Sequence, residues 1–218
     1  MGKQMAIVHI PGPENHRRNR RLIVGISGAT GIVYGIRLLE VLRAVDVESH
    51  LVVTKAAELT RSYETALSSQ NLRDLADVVY PIGDVGAAIA SGSFRTMGMI
   101  VAPCSVKTMS EVANGTTTNL LTRAADVVLK ERRRLVLLLR ESPLTAIHLR
   151  NMLALTESGA IIAPPVPAFY ARPQSLDDMV RHTIGRALDL FDIDSDFPRW
   201  GEEVNEASSS DAVITQQN

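Results

Sequence analysis

The residues of this chain best suited to chemistry are small, hydroxylated or cationic, and they fall in short clusters. The first is Gly25-Ile26-Ser27-Gly28-Ala29-Thr30-Gly31, whose glycines permit a tight turn with backbone amides aimed at an anion where a helix begins. It matches neither the dinucleotide G-x-G-x-x-G nor a P-loop, and Ala29 stands where a G-x-S-x-G elbow needs glycine. Thr54-Lys55 adds another hydroxyl. In Pro103-Cys104-Ser105-Val106-Lys107-Thr108, Ser105 and Thr108 can cap a helix and hydrogen-bond a ligand together. Arg140-Glu141 sets a guanidinium fork, which suits phosphate, beside a carboxylate able to act as a base. The proline-rich stretch 164–173 is stiff and can present Tyr170. Lys130-Glu131-Arg132-Arg133-Arg134 closes a helix, where cations complement the macrodipole; its three arginines read as a solvated cap, and Lys130 stays open to a ligand role. Cys104 has no histidine beside it and reads as a small buried filler rather than a nucleophile.

Positioning these groups requires alternating elements. Apolar β-branched runs predict strands at 22–26, 50–54, 78–80, 99–102, 135–139 and 160–163. Helical spacing predicts helices over 32–45, 55–67, near 84–90, and over 106–113, 119–132, 145–158 and 176–191, with Gly159 as a C-cap. Strands apolar on both faces, each followed by a helix, imply a three-layer, doubly wound α/β domain with a parallel sheet of about six strands. Such sheets bind ligands outside the carboxyl ends of their strands, and the clusters above sit at those ends.

Composition narrows the function classes. The chain has 218 residues, 45% apolar and 22% charged, with a formal net charge of −1, which fits one domain rather than several. Near-neutral charge and nine aromatic side chains (four Phe, four Tyr, one Trp) give no basic field or stacking surface for nucleic acid. A single cysteine excludes an intrachain disulfide and cysteine-rich zinc sites, and points to a cytoplasmic setting. No apolar run approaches the ~18 residues that span a bilayer, so no membrane role is expected. Residues 1–20 read as a flexible extension, 21–203 as the functional domain, and 204–218 as a disordered tail poor in apolar groups.

Taken in order, the motifs GISGATG (25–31, followed by Tyr34-Gly35), ASGSF (90–94), APCSVKT (102–108), RAADVVLKERR (123–133), RESP (140–143), PPVPAFYARPQS (164–175) and PRWGE (198–202) closely resemble the flavin prenyltransferases, the UbiX-like proteins formerly described as aromatic acid decarboxylases. The resemblance runs from Arg21 to Glu203 and implies a Rossmann-like flavoprotein fold. It further implies transfer of a dimethylallyl group from dimethylallyl monophosphate to reduced FMN, giving prenylated FMN, the cofactor of a UbiD-type decarboxylase. By the same resemblance Gly28, Ala29, Thr30, Thr54, Ser105, Val106, Lys107, Thr108 and Arg140 contact flavin. Lys130, Tyr170 and Arg186 hold the prenyl phosphate with Arg123 nearby, and Trp200 forms an aromatic wall. Glu141, Glu64 and Thr30 make up the catalytic group. The family forms homo-oligomers, usually dodecamers, with active sites at subunit junctions. Many members carry Ser where this chain has Thr30 and Thr54, and Arg134 replaces a usual proline.

The chemistry fits the residue types. Breaking an allylic carbon–phosphate bond leaves negative charge on the phosphate and positive charge on the prenyl group, so cations such as Lys130, Arg140 and Arg186 belong at one end, gathered at one edge of the sheet, and an aromatic face at the other. Carbon–carbon bond formation needs a base, either Glu141 or the released phosphate. The five histidines, His9, His16, His50, His148 and His182, are scattered, so metal-independent chemistry is expected. Competing readings are a flavin-dependent cysteine decarboxylase, a non-catalytic FMN-binding subunit of an aromatic acid decarboxylase, and a flavodoxin-type electron carrier. The first is disfavoured because Asn151-Met152 is not part of a P-x-M-N-x-x-M clamp.

Overall fold

The computed structural model describes residues 20–199. Most of the expected extension at 1–20, the tail at 204–218 and Trp200 lie outside the described residues. Six strands, β1 (Arg21–Ile26), β2 (Glu48–Val53), β3 (Val78–Tyr80), β4 (Gly98–Cys104), β5 (Arg134–Leu139) and β6 (Ile161–Ile162), form one sheet in the order β3-β2-β1-β4-β5-β6. Every neighbouring pair is parallel. Seven helices are described: α1 (Ile32–Ala44), α2 (Lys55–Glu64), α3 (Ser69–Arg73), α4 (Val106–Ala113), α5 (Leu120–Lys130), α6 (Ala146–Glu157) and α7 (Leu176–Asp189).

The period-2 pattern of the strands sorts the core into two layers. Leu22, Val24 and Ile26 of β1, with Leu51, Ile100, Val136 and Leu138, face α1, α2, α3 and α7. Ile23 of β1, with Val52, Met99, Val101, Leu135 and Leu137, faces α4, α5 and α6. Crossovers of constant hand produce this arrangement: the chain steps one way from β1 to β3 and the other way from β4 to β6, so its helices change face. The reversal opens a crevice above the β1/β4 pair, at the strands' carboxyl ends.

Local sequence sets the helix boundaries. Thr54, Ser68, Ser105, Asn119, Thr145 and Ser175 each accept a backbone N–H from the first turn of the helix they precede. Gly159, at φ 96, ends α6 as expected. Three expectations are corrected. The helix near 84–90 is a single 3-10 turn at Ala88–Ala90, because Gly83 and Gly86 break the run into turns closed from Asp84 N–H to Pro81 and from Ala87 N–H to Asp84. The helix expected over 55–67 stops at Glu64 where Thr65 turns extended, and Ser68 then caps the unexpected α3. Of the three arginines after Lys130, Arg132 is exposed as expected of a solvated cap, but the other two are engaged: Arg133 donates to the carbonyls of Gly92 (2.6 Å) and Phe94 (2.8 Å), and Arg134 ties β5 to Leu190 and Asp192.

Cys104 ends β4 fully buried, and burial, which disfavours the thiolate, pushes its thiol up to about 12. Iodoacetamide is therefore expected to label Cys104 in the denatured chain and to leave it intact in the native protein; native labelling at the rate of a free thiol would contradict this packing.

Candidate active site

Parallel strands with helices running back against them bring helix N-termini to the carboxyl edge of the sheet. At that edge a cleft of about 720 Å³ is lined by Gly28, Ala29 and Thr30 after β1, by Thr54, Lys55 and Ala56 after β2, and by Ile82 and Gly83 after β3. Ser105, Val106, Lys107, Thr108 and Glu111 follow β4, Thr118 and Asn119 precede α5, and Arg140 and Glu141 follow β5. The volume lies in the range of small-ligand and cofactor sites. The starts of α2, α4 and α5 all border the cleft, and their first-turn amides have no acceptor within their own helix. Three positive helix ends, with Lys55, Lys107 and Arg140, make the cleft a receptor for an anionic group. Val106 and Ile82 supply apolar wall.

One buried hydroxyl holds the two central turns together. Ser27, fully buried, donates from its side chain to the carbonyl of Pro103 (3.0 Å) and accepts from the N–H of Ser105 (2.8 Å). Its own N–H also reaches Pro103 O (3.2 Å), so the turn after β1 and the start of α4 move as one. Ser105, expected either to cap or to meet a ligand, does the first and borders the cleft as well: it accepts from the Thr108 N–H at 3.2 Å. Gly28 is required by close approach, since a Cβ there would come within 2.3 Å of the Cβ of Ala56. The end of β5 is tied in by Arg140 N–H donating to Cys104 O at 3.0 Å.

The first glycine-rich turn does not cradle an external phosphate at the start of α1. The carboxylate of Glu64, from the end of α2, accepts from the N–H groups of Gly31 and Ile32, both at 2.9 Å to Oε2, and from the Thr30 hydroxyl. Gly31, the residue before α1, lies at φ 97 and has no side chain to cap with, so Glu64 serves as the cap from a distance in sequence. The carboxylate thereby sits directly behind Thr30 at the rim of the cleft.

The structure thus brings together Gly28, Ala29, Thr30, Thr54, Ser105, Val106, Lys107, Thr108, Arg140 and Glu141 in one cleft, with Glu64 bonded to its rim. It does not bring the expected prenyl-phosphate residues there. Lys130 is the last residue of α5, whose other end borders the cleft; 11 residues carry it about 16 Å along the helix. Its ammonium pairs with Glu131 at 2.7 Å and packs against Gly92. Arg186 lies in the last turn of α7, which ends near the start of β5, and pairs with Asp189 at 2.7 Å. Tyr170 lies in a 3-10 turn (Phe169–Ala171) and meets His182 of α7. Arg123 pairs with Asp126 at 2.9 Å and is outside the cleft lining. Within one chain, then, the expected gathering of Lys130, Arg140 and Arg186 at one edge is corrected: helix ends that close toward the amino edge of the sheet cannot face a cleft at the carboxyl edge. Sequence reading gave no role to Ser27, Lys55 or Asn119; Asn119 was visible as an N-cap residue type ahead of an apolar helix. Among the described residues no group of three or more His, Cys, Asp or Glu is placed to hold a metal ion, and no helix is long and apolar enough to cross a membrane.

Known proteins resemble this chain over most of its length. A family model described as Flavoprotein matches residues 12–188. The flavin prenyltransferase UbiX of Neisseria meningitidis serogroup B is 59% identical over 182 residues, covering 83% of this chain and 96% of that protein. The crystal structure of AnUbiX in complex with FMN and dimethylallyl pyrophosphate superposes with a TM-score of 0.83 at 54% identity, over 84% of this chain and 98% of that one. A dodecameric FMN-dependent UbiX-like decarboxylase from Escherichia coli O157:H7 superposes with a TM-score of 0.81 at 49% identity, over 83% and 98% of the two chains.

Replacing Ser27 by Ala leaves the Ser105 N–H buried without its acceptor, and is expected to lower stability by about 1–3 kcal/mol in chemical denaturation. A change under about 0.5 kcal/mol, the range of an ordinary surface substitution, would show that Ser27 does not join the two turns.

Proposed function

This chain belongs to the flavoprotein family, among its UbiX-like flavin prenyltransferases, and we propose that it joins a dimethylallyl group from dimethylallyl monophosphate to reduced FMN, forming prenylated FMN. The observation that carries the reading is the cleft itself: three helix N-termini, the cations Lys55, Lys107 and Arg140, and the carboxylate of Glu141 around one space of mononucleotide size. Flavin is the acceptor substrate and supplies the nucleophilic ring. Gly28, Ala29, Thr30, Thr54, Ser105, Val106, Lys107, Thr108 and Arg140 are read as its binding surface, the backbone amides and cations toward its phosphate and the apolar wall toward its ring. Residues 21–203 are read as the catalytic domain.

The donor phosphate needs positive charge as its bond to the allylic carbon breaks, and preorganised cations in a water-poor site stabilise that charge strongly. Arg140 stands in the cleft of the same chain. We assign the remaining cations, Lys130 and Arg186, together with Tyr170 and Arg123, to a second copy of the chain that closes over this cleft. Oligomerisation is then a condition of catalysis, in keeping with the dodecamer formed by the Escherichia coli relative. Glu141, beside Arg140, is read as the base that takes the proton released as the new ring closes, with the departing phosphate as the other acceptor for it. Glu64 orients the Thr30 hydroxyl at the rim, and Trp200 is assigned to the aromatic wall facing the transient allyl cation. The product would pass in the cytoplasm to a decarboxylase of the UbiD type.

Anaerobic incubation with reduced FMN and dimethylallyl monophosphate is expected to yield a flavin heavier by one five-carbon unit. Recovery of unmodified flavin alone would reject the transferase. Glu141→Gln is expected to slow turnover by about 10²-fold or more while FMN still binds, and unchanged turnover would remove Glu141 from the reaction. Co-assembly of Glu141→Gln with Lys130→Ala chains is expected to recover part of the activity that each variant lacks alone, because some junctions then pair two intact halves. No recovery from verified mixed oligomers would overturn the assignment of Lys130 and Glu141 to one site shared between two chains.

A further inference from the structure

The ASGSF segment (90–94) lies outside the cleft lining and packs instead against Lys130, the residue assigned to the donor phosphate. A Cβ at Gly92 would lie 2.2 Å from Oε1 of Glu131, 2.6 Å from its Cδ and 3.0 Å from Nζ of Lys130. The Cα of Gly92 therefore backs onto an ion pair, in which the Lys130 ammonium donates to that same Oε1 at 2.7 Å. Several bonds fix the segment there. Arg133 donates to the carbonyls of Gly92 at 2.6 Å and Phe94 at 2.8 Å, and the Phe94 N–H donates to Ser91 O at 3.2 Å. The Arg21 guanidinium lies over the Phe94 ring, 4.6 Å from its centroid, and His50 meets that ring edge-on at 5.2 Å between centroids. The backbone at 92 cannot easily retreat, whereas Lys130 is half-exposed and carries its ammonium on a flexible four-carbon stem.

We infer that Gly92 is a positioning residue for the donor phosphate: having no side chain, it leaves room for the Glu131 carboxylate to hold the Lys130 ammonium in one place. The inference rests on the reading of Lys130 as a phosphate ligand. An ammonium has three N–H donors, so one spent on Glu131 leaves two for an anion. Holding the stem beforehand removes part of the entropy that a free lysine would lose on binding. The hydrogen bond and charge of Lys130 hold the Glu131 carboxyl below the ordinary carboxylate range; desolvation opposes this and the charge of Arg133 adds to it. Glu131 is therefore ionised at neutral pH. Arg133 Nη2, 3.9 Å from Oε2 of Glu131, offsets part of that negative charge toward an incoming phosphate. Gly92 does not adopt a positive φ, so alanine suits the backbone there and only the close approach to the ion pair demands glycine. A methyl group at 92 would push the carboxylate and the ammonium away, both being ends of flexible side chains, and leave the fold in place.

The test compares wild type with Gly92→Ala, Glu131→Ala, the Gly92→Ala/Glu131→Ala double variant and Lys130→Ala, using dimethylallyl monophosphate at saturating reduced FMN. Gly92→Ala is expected to raise the donor KM about three- to tenfold, the cost of one hydrogen bond, with kcat, FMN affinity, thermal stability and oligomer size little changed. Glu131→Ala raises the donor KM by a similar factor. Adding Gly92→Ala to it produces no further rise, because the methyl group then has no carboxylate to displace. An unchanged donor KM in Gly92→Ala or in Glu131→Ala, or additive effects in the double variant, would overturn the inference. So would a loss of FMN affinity, stability or oligomer in Gly92→Ala that parallels the rise in KM. If Lys130→Ala leaves the donor KM unchanged, the phosphate reading of Lys130 fails and takes the inference with it. A raised KM in Lys130→Ala with a silent Gly92→Ala removes only Gly92.

Discussion

Antiparallel packing of helices against a parallel sheet is the constraint from which the rest follows. It collects the positive ends of α2, α4 and α5 at one edge of the molecule and sends the far ends of α5 and α7 to the other. At the edge that receives the helix starts, partial positive charge from the backbone adds to that of Lys55, Lys107 and Arg140. The opposite edge receives Lys130 and Arg186, because residues that close a helix cannot share an edge with residues that open one. On the proposed assignment, a reaction that draws on both sets brings two chains together, and the oligomer is then part of the active site.

Two local devices keep the cleft in shape. Ser27 spends its hydroxyl on Pro103 and Ser105, so that the turns after the two central strands are fixed to each other rather than to solvent. Glu64 fills the start of α1, the one neighbouring helix N-terminus whose own residue, Gly31, cannot cap it. A carboxylate in that position satisfies the helix and turns away a competing anion, leaving the starts of α2, α4 and α5 as the places where a ligand phosphate can land. The same carboxylate bonds Thr30, which joins helix capping to the orientation of a group at the cleft rim.

A similar economy marks the outer surface of α7. His182, Gly185, Arg186 and Asp189 fall on neighbouring positions of the helix, and between them they seat Tyr170, Phe197 and Arg199. The helix thereby holds the Tyr170 hydroxyl at the far end of its ring, which the proline-rich loop that carries the residue does not reach. Arg133 does comparable work at the start of β5, bonding the carbonyls of Gly92 and Phe94 so that the chain beside Lys130 keeps one path.

Much of this was legible in the sequence. Strand runs alternating with amphipathic helices predicted the doubly wound sheet, because burial on both faces leaves few polar positions in a strand, and the glycine and hydroxyl clusters marked the strand ends where ligands bind. Ordered motifs over Arg21 to Glu203 carried the family, since long matches in register seldom arise by chance. What the chain could not disclose on its own was distance. Glu64 lies 33 residues from Gly31 and Ser27 lies 78 from Ser105, and only the parallel pairing of β1 with β2 and β4 makes them neighbours. The separation of Lys130 and Arg186 from Arg140 was likewise decided in three dimensions, because the direction of a helix relative to its sheet, and not the residue types along it, determines which edge a side chain reaches.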